Sequence, residues 1–170
     1  EIYIHLIQKA IDEHKQVLYL LPEIALTVQI TERLKAVFGN RLGIYHSKYS
    51  DAERVEIWQK QLSAQPYDVI LGARSAVFLP FQRLGLVIID EEHEQSFKQQ
   101  DPAPRYHARS AAIVLAQMYA GAKTLLGTAT PSMETYYNAQ QGKYGLVELT
   151  RRYKDIHMPA IEVVDVKDLY

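Results

Sequence analysis

The sequence holds no cysteine among its 170 residues. Disulfides and thiolate zinc sites are therefore excluded within it. It has no long apolar run, whereas a membrane-crossing helix takes about 20 apolar residues, so no membrane partner is expected. No secretory or transit segment opens it. These absences fit a cytoplasmic protein. An excess of one charge is missing too: 19 basic residues face 20 acidic ones, for a net charge of −1. Any nucleic-acid contact must then come from local clusters rather than from a global positive field. What is there is a globular balance, 48% apolar and 23% charged. That suits one domain with a sizeable core.

Helix and strand patterns alternate along the chain. Ile2, Tyr3, Leu6, Ile7, Ala10 and Ile11 recur at helical spacing. Residues 17–21 (Val-Leu-Tyr-Leu-Leu) form a continuous apolar run, as a buried parallel strand does. Pro22 suits a first helical position, and Leu26, Ile30, Leu34 and Val37 mark the face of the helix it opens, stopped by Gly39-Asn40. Residues 42–45 read as a second strand. Ser50 and Glu53 have capping-box spacing, with Val55, Trp58 and Leu62 on one face that is expected in the core. Residues 68–71 and 86–89 give a third and a fourth strand. Residues 94–107, polar and with two prolines, read as a long loop. A helix carrying Ala111, Leu115 and Met118 follows, then a fifth strand at 123–126 and a helix after Pro131-Ser132. Residues 146–149 and 161–164 are candidate further strands. Between them, residues 150–159 carry Arg151, Arg152 and Lys154. The first residues, Glu1-Ile2-Tyr3-Ile4, enter a helix without an initiator Met, so the sequence reads as a piece of a longer protein.

Alternating strands and helices imply a parallel sheet covered on both faces. Ligands of such folds sit beyond the carboxyl ends of the strands. Five strands here run into small, polar or charged residues: Pro22-Glu23, His46-Ser47-Lys48, Gly72-Ala73-Arg74-Ser75, Asp90-Glu91-Glu92-His93, and Gly127-Thr128-Ala129-Thr130-Pro131-Ser132. An apolar strand ending in Asp-Glu is the layout of a nucleotide-phosphate metal site. The Asp holds Mg²⁺ and the Glu orients or deprotonates a water. A solvated acidic turn is the competing reading, and zinc on His93 lacks a second ligand at the right spacing. The 127–132 segment is either a plain turn with Ser132 as N-cap or a hydroxyl relay between two binding sites. The 72–75 turn is either structural or a phosphate contact. In the loop, Phe97, Lys98, Arg105, Tyr106 and His107 mix flat rings with cations, as single-stranded nucleic acid requires. The alternative is that Phe97 and Tyr106 only pin the loop to the body. His5 and His14 read as surface residues.

Together these clusters resemble the first motor lobe of a superfamily 2 DEAH-type helicase. Residues 90–93 resemble its motif II, 127–132 its motif III and 20–27 its motif Ia. Residues 72–81, residues 45–47 and the loop after the acidic box are similar to the bacterial replication-restart helicases. The resemblance implies an α/β fold of RecA-like type, a three-layer sandwich with a mostly parallel central sheet. Residues 1–150 would be the ATP-binding lobe and 151–170 the start of the connection towards a second lobe. It implies ATP and Mg²⁺, with Asp90 holding the metal through water and Glu91 activating the hydrolytic water. His93, Thr128 and Thr130 would couple the nucleotide to DNA. Pro22, Glu23, Arg74 and Ser75 would lie near the DNA strand, and Phe97, Arg105 and Tyr106 would sense it. A 3′-to-5′ DNA helicase acting on replication forks and single-stranded DNA follows, with single-stranded DNA-binding protein and other primosome proteins as partners. The family's zinc belongs to a cysteine-rich region not in this sequence. No G-x-x-x-x-G-K-[ST] loop occurs here either. The residues present are therefore expected to hydrolyse no ATP on their own, and a non-catalytic nucleic-acid or protein-binding module with a degenerate nucleotide site is the alternative.

Overall fold

A computed structural model describes residues 1–46 and 49–150. Ser47, Lys48, the basic residues Arg151, Arg152 and Lys154, the candidate strand at 161–164 and the expected connection at 151–170 lie outside the described residues. Two compact units divide the chain, Glu1–Ser132 and a second beginning at Met133.

In the first unit the order is α1 (Ile2–Asp12), β1 (Gln16–Leu20), α2 (Val28–Phe38), β2 (Leu42–Tyr45), α3 (Asp51–Leu62), β3 (Val69–Gly72), β4 (Leu84–Asp90), α4 (Ala108–Gln117) and β5 (Lys123–Gly127). Short 3-10 turns occupy Glu23–Ala25, Gly39–Arg41, Arg74–Phe78 and Gln95–Phe97. The five strands form one sheet in the order β2-β3-β1-β4-β5, every pairing parallel.

Period-two alternation divides the core into two layers. From β1, Val17 and Tyr19 point into one apolar cluster with Val69, Leu71 and Ile88; Ile7 and Ile11 of α1 and Leu34 and Phe38 of α2 cover it. Leu18 and Leu20 point the other way, with Ile70, Val87 and Ile89, under Ile57 of α3 and the alanines 108, 112 and 116 of α4. The result is the expected α/β three-layer sandwich. Each fully buried Val, Leu or Ile contributes about 1.5–3 kcal/mol. Gln16 is also fully buried at the start of β1. It is satisfied there: its Nε2 donates to the Tyr67 carbonyl at 2.9 Å and its Oε1 accepts from Gln82 N at 2.8 Å and Arg83 N at 3.0 Å.

Local signals set most boundaries. The Ser50–Glu53 capping box opens α3, and Gly39, at φ 53°, closes α2 in a conformation that favours glycine. Several expectations are corrected. Pro22 does not open the helix: it precedes the 3-10 turn, and α2 starts only after Thr27, whose hydroxyl accepts from Ile30 N. Val55, Trp58 and Leu62 are exposed, as are Val37 and Met118; α3 buries Ile57 and Gln61 instead. Helical spacing identifies a stripe, but a stripe one residue over has the same spacing, and the sheet decides which one it covers. Residues 94–107 are not unstructured, holding the Gln95–Phe97 turn and a bridge between Lys98 and His107. Residues 146–149 form no strand. In the second unit the described element is α5 (Met133–Gln140).

Candidate active site on the sheet rim

A parallel sheet brings all strand ends to one edge. Asp90, the last residue of β4, pairs in register with Gly127, the last of β5; Leu20 of β1 pairs with Gly72 of β3 and Ile89 of β4. The segments singled out after β1, β3, β4 and β5 therefore share one rim.

Asp90 is fixed by two tyrosines. Tyr3 of α1 donates its hydroxyl to Oδ1 at 3.1 Å and Tyr19 of β1 donates to Oδ2 at 3.1 Å, while Glu91 N donates to Oδ1 at 3.1 Å. The two rings meet edge-on at 5.5 Å. Burial pushes both phenols far above their usual range, and the Asp90 charge pushes them further; both stay protonated as donors. Gly127 makes this possible, since a Cβ there would lie 1.8 Å from the Tyr3 hydroxyl oxygen. A carboxylate has about four lone-pair sites. Three are in use, which leaves one on Oδ2 that none of these bonds fills. Three or more His, Asp or Glu side chains gathered as a metal cage do not occur among the described residues. A Mg²⁺ ion that keeps its waters takes only one or two carboxylates from a protein, and Asp90 is the one this strand end offers.

Glu91 is exposed and sits at φ 51°, a left-handed conformation that costs a non-glycine residue about 1–2 kcal/mol. Its Oε2 lies 3.6 Å from His93 Nδ1. The same Nδ1 meets the Thr128 hydroxyl at 2.7 Å, and Nε2 lies 3.5 Å from the Thr130 hydroxyl. Thr130 N in turn donates to Thr128 Oγ1 at 3.0 Å. Asp90, Glu91, His93, Thr128 and Thr130, chosen from the sequence, are therefore one cluster across the ends of β4 and β5.

A second cluster lies after β3. Arg74 donates to the carbonyls of Ser96 at 3.2 Å and Lys98 at 3.1 Å. Lys98 Nζ donates to the Arg105 carbonyl, and Gln99 N to that of Tyr106 at 2.9 Å. The Tyr106 ring packs edge-on against Phe78 at 4.8 Å. Burial raises its phenol, with Arg74 opposing. Arg74 thus ties the loop that carries Phe97, Arg105 and Tyr106. Phe97 is only 1% exposed and belongs to the core; its ring cannot stack on a base, and pinning the loop is its part. Arg105 is exposed, and Ser75 and Tyr106 are half-buried. Pro22 is buried and Glu23 exposed at the end of β1.

Sequence reasoning missed four residues: Tyr3, Tyr19, Glu92 and Arg109. The tyrosines sit inside apolar patterns, and their one signal is that a buried phenol needs a partner. Glu92 is buried and bonded to Arg109 and Ser132. Ser132, expected as an N-cap, directly precedes α5 in the chain, and its N and Oγ also bond Glu92.

The family model described as DEAD/DEAH box helicase matches residues 1–139. Replication restart protein PriA of Bacillus subtilis (strain 168) is 41% identical over 99% of the chain, which covers 20% of that protein. Its counterparts in Rickettsia felis and Haemophilus influenzae are 46% and 42% identical, over 98% and 99% of the chain and 25% and 23% of their own lengths. The chain spans a quarter or less of each of these curated relatives. Among solved structures, Mycobacterium smegmatis helicase Lhr bound to ssDNA and AMP-PNP superposes with a TM-score of 0.52 at 19% identity, over 74% of this chain and 18% of that one. The C-terminal part of the Fun30 ATPase domain gives 0.52 at 14% identity, over 87% of this chain and 45% of that one. Both likenesses concern the fold. No described helix is long and apolar enough to cross a membrane.

Proposed function

Because this chain belongs to the DEAD/DEAH box helicase family, we propose that it is the first motor lobe of an ATP-driven 3′-to-5′ DNA helicase of the replication-restart kind. The observation that carries this is the Asp90 carboxylate, held by Tyr3, Tyr19 and its own turn at the end of β4, with Glu91 beside it and His93 against Thr128.

Asp90 and the phosphates of ATP would hold Mg²⁺ through its waters, and the ion supplies charge neutralisation as the terminal phosphoryl group leaves. The chain's own part is positioning. Tyr3 and Tyr19 fix both oxygens of Asp90, so the carboxylate presents its free lone pair without reorganising. Glu91, projected by its left-handed turn, accepts a proton from the attacking water. General-base groups of this kind supply about 10²–10⁴-fold. His93 reads the outcome: it lies between Glu91 and the hydroxyls of Thr128 and Thr130, so a change at the phosphates reaches the 127–132 segment through one ring. Arg74, Ser75, Arg105 and Tyr106, with Pro22 and Glu23 at the neighbouring strand end, form the side that meets DNA. Their cations and rings are local, as a net charge of −1 requires. Forks and single-stranded DNA are the proposed substrates. Single-stranded DNA-binding protein and other primosome proteins are the proposed partners, and the bacterial cytoplasm the proposed place of action.

DNA-stimulated phosphate release by the full-length natural protein tests this, wild type against Glu91→Gln. The variant keeps the shape and loses the base. Turnover should fall by about 10²-fold or more, with nucleotide binding retained. Undiminished turnover in the variant, or none in the wild type, would leave a non-catalytic binding module as the better reading.

A further inference from the structure

Asp90 stands out on the rim because both of its oxygens accept from tyrosines, and the two rings come from different elements. Tyr3 of α1 donates to Oδ1 and Tyr19 of β1 to Oδ2, each at 3.1 Å. A buried phenol needs an acceptor, but any carbonyl would meet that need. Here two hydroxyls converge on a single carboxylate, and Gly127 leaves the space that the Tyr3 hydroxyl fills. The rings are held as well. Tyr19 is 3% exposed within β1, where it pairs with Leu71 of β3 and Ile88 of β4. Tyr3 packs on the same apolar cluster and meets the Tyr19 ring at an interplanar angle of 76°. A phenol hydroxyl sits at the tip of a rigid ring, so a fixed ring is a fixed donor.

Donors on both oxygens do more than hold a carboxylate still. They limit how it can meet a cation. Ca²⁺ takes about six to eight oxygens in loose geometry and often both oxygens of one carboxylate, whereas Mg²⁺ is smaller, needs near-ideal octahedral geometry and keeps several waters. Oδ1 of Asp90 already accepts two bonds, from the Tyr3 hydroxyl and from Glu91 N. Those fill its two lone pairs. Chelation through both oxygens therefore has to break a bond at Oδ1. Tyr19 acts at the other oxygen, where its bond to Oδ2 opposes rotation of the carboxylate about the fixed one. A cation that keeps its waters and asks one set direction of the acid meets neither obstacle. Discrimination between the two ions turns on the number of ligands and on their flexibility, and the tyrosines restrict both.

We infer that Tyr3 and Tyr19 are positioning residues that set the cation specificity of the Asp90 site, favouring Mg²⁺ over Ca²⁺ by keeping the carboxylate fixed and closed to chelation. This rests on the function proposed above. Tyr3→Phe takes a donor from Oδ1 and Tyr19→Phe takes the donor from Oδ2, each losing one hydroxyl and keeping its ring. Both are made in the full-length natural protein. Binding of a fluorescent, non-hydrolysable ATP analogue is titrated with Mg²⁺ and, separately, with Ca²⁺. The preference for Mg²⁺ is the ratio of the two half-saturating concentrations within one variant. The analogue's own affinity for each cation is common to all variants and drops out of the comparison. A general loss of structure drops out too, since it weakens both titrations alike. Thermal unfolding confirms that each variant is folded.

Loss of a hydrogen-bond partner behind a metal-binding group typically costs about 10–100-fold in metal affinity. The preference for Mg²⁺ should fall by about tenfold in Tyr3→Phe, which opens Oδ1 to chelation, and by about threefold in Tyr19→Phe, which leaves Oδ1 filled. A preference that is unchanged or raised in either variant overturns the role assigned to that residue, and the same result in both overturns the inference. Equal weakening of the two titrations counts as unchanged, because that is what a merely structural hydroxyl gives. If the wild-type protein binds the analogue with no dependence on Mg²⁺, the proposed function fails and the specificity role falls with it. The wild-type titration separates that outcome from failure of the inference alone.

Discussion

Asp90 shows how much one missing side chain can matter. Its two tyrosine donors reach it because Gly127, opposite in the ladder, has no Cβ. An added methyl would lie 1.8 Å from the Tyr3 hydroxyl and 3.3 Å from Asp90 Oδ1. Gly127→Ala should therefore cost about 1–3 kcal/mol, the usual range for overpacking, read as a lower urea midpoint. The same change made with Tyr3→Phe should cost clearly less than the two single costs added. The hydroxyl is the main clash, and the next ring atom, Cζ, lies at 3.0 Å. Strict additivity would mean that Tyr3 is not what occupies the space. Glycine's value here is its emptiness; Gly127 is not at a positive φ. Glu91 is the reverse case, a bulky residue kept in a left-handed turn that projects the proposed base.

The element that departs most from its expectation is the segment after the acidic box. It reads as a loop because it is polar and proline-bearing. Its ends are nevertheless built in, by the Gln95–Phe97 turn, by two bonds from Arg74, and by the Lys98–His107 bridge. Phe97 is the anchor, in the same cluster as Leu20, Ile89 and Ala112. Phe97→Ala should cost about 3–5 kcal/mol, measured as a shift of the denaturant midpoint, with Phe97→Leu costing much less. A surface stacking ring would give almost no stability change and a loss of single-strand affinity instead. The sequence could not separate these two readings. A Phe between polar neighbours has no periodicity, and only the 3-10 turn sets its direction. α3 teaches the same lesson: its capping box was legible because it is local, but the choice between the Val55-Trp58-Leu62 stripe and the Ile57-Gln61 stripe was made by packing.

At the scale of the whole unit, β3, β1 and β4 are the interior strands, and all three end on the rim. β1 is bonded on both sides, to β3 and β4, and all five of its residues are buried. Among the described residues, β2 and β5 are the edges. Amide exchange should follow this order. Leu18–Leu20 and Val87–Ile89 should open only with global unfolding, while outward-facing amides of β2 exchange by smaller openings. Equal protection across all strands would show that the sheet opens as a single unit. A rim set on the most protected strands keeps Asp90 and Glu91 in place while loops around them move.

The sequence by itself determined the alternation of strands and helices, the parallel sheet, and the polar strand ends that cluster on one rim. All of these follow from local periodicity and from the rule that parallel strands end on the same side. Asp90, Glu91, His93, Thr128, Thr130 and Arg74 were legible because each stands at the end of a recognisable strand. Only the tertiary structure decided which residues hold them. Tyr3, Tyr19 and Arg109 lie 87, 71 and 17 residues from the acids they serve. No local pattern records such partners. A buried phenol or guanidinium must pair with whatever acceptor the packing of the sheet and helices brings within reach, and that choice is made in three dimensions.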